Sequence, residues 1–168
     1  LRADSEMGSI VRDKIPQGSW PHRTIIRPRA GTEFDADFLL LLDEVPGWEP
    51  HHYPDAVYAA LNRHPTYTGM PNGRRTRAVY LEYSPQNDIG CHLDIVPYVI
   101  INGRGYIIDR PNNDWETTDP VGFTTWMAER DAITHGNFRK VVRLMKYYKV
   151  HRNSFNGVRS IILTTLLG

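Results

Sequence analysis

The chain has 168 residues and a mass of 19.3 kDa, which suits about one domain. With 40% apolar and 23% charged residues it can bury a core, so disorder of the whole chain is excluded. Lys and Arg number 20 against 19 Asp and Glu, a net charge of +1, which excludes a long phosphate-neutralising nucleic-acid footprint.

In chain order, the first two thirds predict short strands at Thr24 to Ile26, Ala36 to Leu42, Ala78 to Tyr83, Leu93 to Ile101 and Tyr106 to Ile108, punctuated by turn signals. A helix is expected at Pro54 to Arg63, where Ala56, Val57, Ala60 and Leu61 repeat at helical spacing behind a proline suited to a first turn. Asn102-Gly103 predicts a hairpin, since both residues tolerate positive φ. Asp119-Pro120 predicts an N-cap followed by a first-turn proline, with Phe123, Trp126 and Met127 on the helix it opens. From Asn137 onward Val141, Leu144, Met145 and Tyr148 form a helical stripe, and a last helix is expected from about Gly157 to Leu167. Strands first and helices last predict an α+β fold, divided into a sheet region at 1–118 and the start of a helical region at 119–168.

The apolar runs Phe38 to Leu42 and Val99 to Ile101 fall far short of the roughly 18 residues that span a bilayer, so no membrane partner is expected. The sole cysteine, Cys91, has no partner for an internal disulfide, and no charged-then-apolar leader opens the chain; both point to the reducing cytoplasm. The chain starts at Leu1 and stops directly after the apolar stretch Ile161 to Leu167. A fragment of a longer protein is therefore expected, its helical region incomplete.

The chemistry concentrates between Gln17 and Leu42. In a strand, side chains at i and i+2 share a face about 6.5 to 7 Å apart, so Asp35 and Asp37 project together ahead of a run that is apolar on both faces. Two carboxylates this close raise each other's pKa unless a cation neutralises them, and a hard divalent ion such as Mg²⁺ suits oxygen ligands. The alternative is a pair of aspartates capping a turn before a core strand. A third acid, Asp94, sits between Leu93 and Ile95, where an unpaired carboxylate would be costly to bury. Three carboxylates on adjacent strands can hold two metal ions for phosphoryl transfer. Gly18-Ser19 offers close backbone approach and a hydroxyl for phosphate oxygens.

Other residues carry weaker signals. His51, His52 and His92 lack the spacing of a zinc site. Arg74, Arg75 and Arg77 follow the turn Pro71-Asn72-Gly73 and read as a solvated basic surface. Cys91 reads as a small buried residue, and Tyr147, Tyr148, Trp115 and Trp126 could stack on a base but at helical spacing read mostly as core.

Together, Gly18-Ser19, Asp35-Ala36-Asp37 and Asp94 resemble the nucleotidyltransferase superfamily signature. The chain is more closely similar to the CD-NTases, the bacterial branch related to cyclic GMP–AMP synthase and oligoadenylate synthase. The stretches that carry this likeness are Gln17-Gly18-Ser19-Trp20, Thr24-Ile25, Glu33-Phe34-Asp35-Ala36-Asp37 and Leu93-Asp94-Ile95-Val96-Pro97, then Asp119-Pro120 with Phe123 and Trp126, Gly136 to Tyr147, and Arg159 to Leu163.

The resemblance implies a polymerase β-like nucleotidyltransferase fold with a mixed, mainly antiparallel sheet and C-terminal helices. It implies that Asp35 and Asp37 bind two Mg²⁺ ions, with Mn²⁺ as a substitute, and that Asp94 completes one site and helps deprotonate an attacking ribose hydroxyl. Gly18 and Ser19, with Lys146 and Ser160, would hold the donor triphosphate. The implied activity is synthesis of cyclic di- or trinucleotide messengers from nucleoside triphosphates in antiphage signalling, with operon-encoded regulators and an effector as partners. Transfer of a single nucleotide to a protein or RNA, or noncatalytic nucleotide binding by the same fold, are the alternatives. The gap between Ser19 and Asp35 is longer than in many superfamily members, and Arg23 stands where the family often has glycine.

Overall fold

A computed structural model describes residues 1–29, 31, 33–152, 154–155 and 157–168. The described residues form two compact units. One comprises Leu1–Gln17 with Pro28–Thr118, and the other Gly18–Arg27 with Asp119–Gly168.

The first unit is a seven-stranded mixed sheet with one helix. Its strands are β1 (Val11–Gln17), β2 (Glu33–Leu42), β3 (Asn72–Arg74), β4 (Val79–Gln86), β5 (Ile89–Ile101), β6 (Arg104–Asp109) and β7 (Asp114–Thr117), with α1 (His52–Arg63) between β2 and β3. The order β1-β2-β5-β4-β3 is extended by β6 on β5 and β7 on β6. Among the described residues only the β2–β5 pairing is parallel, and the other pairings are antiparallel.

The long strand β5 organises this sheet. One edge pairs with β2 along its length, while the other pairs first with β4 and then, beyond Ile95, with β6. Asn102 and Gly103 both adopt positive φ in the β5–β6 hairpin, as the dipeptide predicts. Leu40 and Leu42 of β2, Val79, Ile95 and Val99 form a core with Tyr53, Val57, Ala60 and Leu61 of α1. Leu39, which points to the opposite face, is also buried, so β2 is covered on both faces as its sequence predicts. A buried Tyr53 hydroxyl accepts from the Val45 backbone N–H at 2.9 Å, fixing the chain between β2 and α1.

The second unit contains α2 (Pro120–Ile133), α3 (Asn137–Arg152) and α4 (Ser160–Leu167). The Asp119 carboxylate accepts from the Gly122 N–H at 2.8 Å, with Pro120 in the first turn, realising the predicted cap. His135 and Gly136 turn the chain through positive φ between α2 and α3. Met127, Phe138 and Val142 form the buried cluster, with Phe123 and Trp126 packed against it.

The strand expected at Thr24 to Ile26 is absent. The Thr24 N–H donates to the Ser19 carbonyl at 2.9 Å, and the Thr24 carbonyl accepts from Lys146 Nζ at 3.0 Å. These backbone groups are taken by a loop and a helix, which overrides the β propensity of Thr-Ile-Ile. No helix among the described residues is long and apolar enough to cross a membrane.

Candidate active site

The parallel register of β2 on β5 places Asp35 opposite His92 and Asp37 opposite Asp94. Directly paired residues of a sheet point to the same face, so the three predicted acids and His92 share one face. Antiparallel β4 adds Tyr80 opposite Asp94 and Glu82 opposite His92.

The charges on this face are incompletely balanced. The Asp37 carboxyl is pushed above the ordinary aspartate range, first by burial and then by the Asp94 and Asp35 carboxylates; His92 and Arg75 oppose the shift. Asp94 Oδ2 accepts from Arg75 Nη1 at 2.9 Å, but its buried Oδ1 has no hydrogen-bond partner. An orphaned carboxylate oxygen beside a second carboxyl that resists ionisation offers oxygen donors of the kind a hard divalent cation takes.

The mouth of the face carries a further group that the sequence reading did not assign. His92 Nδ1 lies 3.1 Å from Glu33 Oε2 and its Nε2 lies 3.2 Å from Asp35 Oδ1. Glu33, Asp35 and His92 thereby bring one donor atom each to within 4.8 Å of one another. Glu33 precedes Asp35 by two residues and His92 precedes Asp94 by two. Same-face alternation was the available signal, but it becomes visible only with the β2–β5 register known.

The rings of His51 and His52, by contrast, lie tilted against each other at 4.1 Å, and His51 pairs with Asn113. Burial and the Asp35 carboxylate push the Cys91 thiol up, which disfavours the thiolate a nucleophile needs.

Gly18, Ser19, Lys146 and Ser160 belong to the second unit. Gly18 has φ +71°, a conformation open to glycine. Through Thr24, the Ser19 carbonyl and Lys146 Nζ are linked by two successive hydrogen bonds. Arg143 Nη1 donates to the Arg23 carbonyl at 3.0 Å, tying the same loop to α3. Arg23 itself has φ +55°, which explains physically why glycine suits this position. Beside the loop, burial first, then Arg139 and Lys146, push the His22 imidazole below its ordinary range. Ser160 is the first residue of α4, behind the N-cap Arg159.

Comparison with known proteins follows the same lines. The model of the Second Messenger Oligonucleotide or Dinucleotide Synthetase domain matches residues 1–131. A cyclic AMP-AMP-AMP synthase of an Acinetobacter species is 26% identical over 154 residues, covering 89% of this chain and 43% of the relative. A c-di-GMP synthase of Roseivirga ehrenbergii is 29% identical over 188 residues, covering 95% and 49%. The chain thus spans about half the length, or less, of these curated relatives. Among solved structures, the CD-NTase CdnG of Bradyrhizobium diazoefficiens in complex with GTP superimposes with a TM-score of 0.73 at 21% identity, covering 99% of this chain and 59% of that one. The cyclic AMP-GMP synthase DncV of Vibrio cholerae, bound to nonhydrolyzable GTP, gives the same TM-score and identity, covering 90% and 43%. The α+β nucleotidyltransferase fold is shared with both.

Proposed function

From a chain that belongs to the Second Messenger Oligonucleotide or Dinucleotide Synthetase domain family, we propose a divalent-cation-dependent nucleotidyltransferase that joins nucleoside triphosphates into cyclic di- or trinucleotides and releases pyrophosphate. The observation that carries this reading is Asp37 opposite Asp94 on paired strands, with one Asp94 oxygen buried and unpartnered. The names of the relatives, synthases of cyclic AMP-AMP-AMP and c-di-GMP, support the product class, and the GTP complex of CdnG supports triphosphate substrates.

Asp35 and Asp37 would hold two Mg²⁺ ions, and Asp94 would complete one of the two sites. When bound, such ions neutralise charge on the phosphates and polarise the attacking and leaving oxygens. The protein's own part is positioning. Asp94 takes up the proton of a ribose hydroxyl as that oxygen attacks an α-phosphate in line. Ser19, with the open backbone of Gly18, and Ser160 donate to triphosphate oxygens, and Lys146 supplies a cation to them. The product is then a second messenger, read by an effector in antiphage signalling.

The test is incubation of the protein with four labelled triphosphates and Mg²⁺, followed by nuclease-resolved chromatography. A cyclic oligonucleotide that disappears with Asp35→Asn is the expected result. Label transferred to protein or added RNA identifies single-nucleotide transfer instead, and product formation undiminished by Asp35→Asn overturns the assignment.

A further inference from the structure

Three arginines follow the turn after α1, and they have different partners. Arg74 pairs with Asp55 and Arg77 with Glu116, both at 2.5 Å, while Arg75 alone of the three reaches the acidic face. Its Nη1 lies 2.9 Å from Asp94 Oδ2 and 3.4 Å from His92 Nε2. Its guanidinium also lies over the Tyr80 ring at 4.8 Å, and Tyr80 is the register partner of Asp94. The stem is fixed on both sides, because the Arg75 N–H donates to the Ala78 carbonyl at 2.7 Å and the Thr76 carbonyl accepts from the Arg110 N–H at 3.0 Å. The side chain is 43% exposed, so it can leave Asp94 without unpacking the core.

We propose that Arg75 is an internal counter-ion that competes with the divalent cation for Asp94, its charge on Oδ2 opposing a cation on the unpartnered Oδ1. The proposal rests on the reading of Asp94 as a metal ligand. Without a cation, the face crowds Asp35, Asp37 and Asp94 together, and Arg75 supplies a positive charge where one is missing. A metal ion on the unpartnered Asp94 Oδ1 would stand beside the guanidinium held on Oδ2 of the same carboxylate, and like charges that close repel. Arg75 therefore keeps the empty site balanced and raises the concentration of free cation at which it fills. Its role is to position Asp94 and tune its affinity, not to touch substrate.

Mn²⁺ binding without nucleotide, followed by electron paramagnetic resonance, tests this in the wild type, Arg75→Gln, Arg75→Lys and Asp94→Asn. Losing the charge should tighten Mn²⁺ binding by about fivefold or more, whereas lysine, which keeps the charge, should stay within about twofold of the wild type. Asp94→Asn should weaken binding by about tenfold or more. Unchanged or weaker binding by Arg75→Gln, with Asp94→Asn still impaired, overturns the role of Arg75 and leaves the metal reading standing. Wild-type binding by Asp94→Asn overturns both. A second readout needs no loss of charge: the Arg75 Nε–Hε resonance of the wild type, assigned by its disappearance in Arg75→Lys, should shift as Mg²⁺ is added. A resonance that stays in place overturns the proposal.

Discussion

In the sheet unit, Tyr53, Val57, Val79 and Val99 are fully buried where α1 packs on the strands, and Leu81 of β4 is 1% exposed. In the helical unit the buried cluster is Met127, Phe138 and Val142, while Leu144 remains 64% and Leu166 78% exposed. The difference matches the charges each unit carries. Asp35, Asp37 and Asp94 share one face of that sheet, where neighbouring carboxylates disfavour one another's ionisation. The helical unit carries Lys146 and Arg143 on carbonyl oxygens of the 18–27 loop, contacts that need no deep core. Unfavourable proximity of charge is thus built on the sheet, and favourable contacts on the helices.

The largest effect that would break this contrast is chemical. Asp37→Asn should lower cyclic product formation by at least about 100-fold while the chain stays folded, measured by chromatography beside circular dichroism. Next comes packing: Leu81→Ala should cost about 2 to 5 kcal/mol, whereas Leu144→Ala should change stability by no more than about 0.5 kcal/mol. Urea unfolding of the two variants decides this, and equal losses would erase the distinction between the cores. Asp119→Ala removes the cap of α2 and should cost about 1 kcal/mol, read in the same assay. The smallest effect is expected at Arg23. Glycine relieves its positive φ but is more costly to order, so Arg23→Gly should stabilise by no more than about 1 kcal/mol, seen as a slight rise in Tm.

Much of the fold was legible because its signals are local. The apolar run after Asp37, the Asn102-Gly103 hairpin and the Asp119-Pro120 cap each act within a few residues, and each appears where expected. β1 escaped notice because Arg12, Asp13 and Lys14 break its pattern and most of its residues are exposed. β7 was too short to stand out at four residues. The parallel register of β2 on β5 is set by a crossover through α1, β3 and β4, and no local residue announces it. For that reason the shared face of Asp35 and Asp37 could be read from the sequence, but His92 opposite Asp35 could not. Arg75 was read as surface for the same reason: a turn residue's partner on a distant strand leaves no trace in spacing.

Asp35, Asp37 and Asp94 are held against one another on one face of the sheet. Asp37 binds its proton more tightly in the folded chain than an ordinary aspartate does. Its contribution therefore turns against the fold as pH rises from the usual aspartate range through its raised value, and stays unfavourable at neutral pH. Thermal unfolding of the wild type and Asp37→Asn at neutral pH, with and without saturating Mg²⁺, tests this directly. The wild type should melt lower without Mg²⁺ and climb when it is added, while the variant should start higher and hardly move. A variant that starts no higher and climbs as far as the wild type would show that Asp37 neither opposes the fold nor takes part in binding the cation.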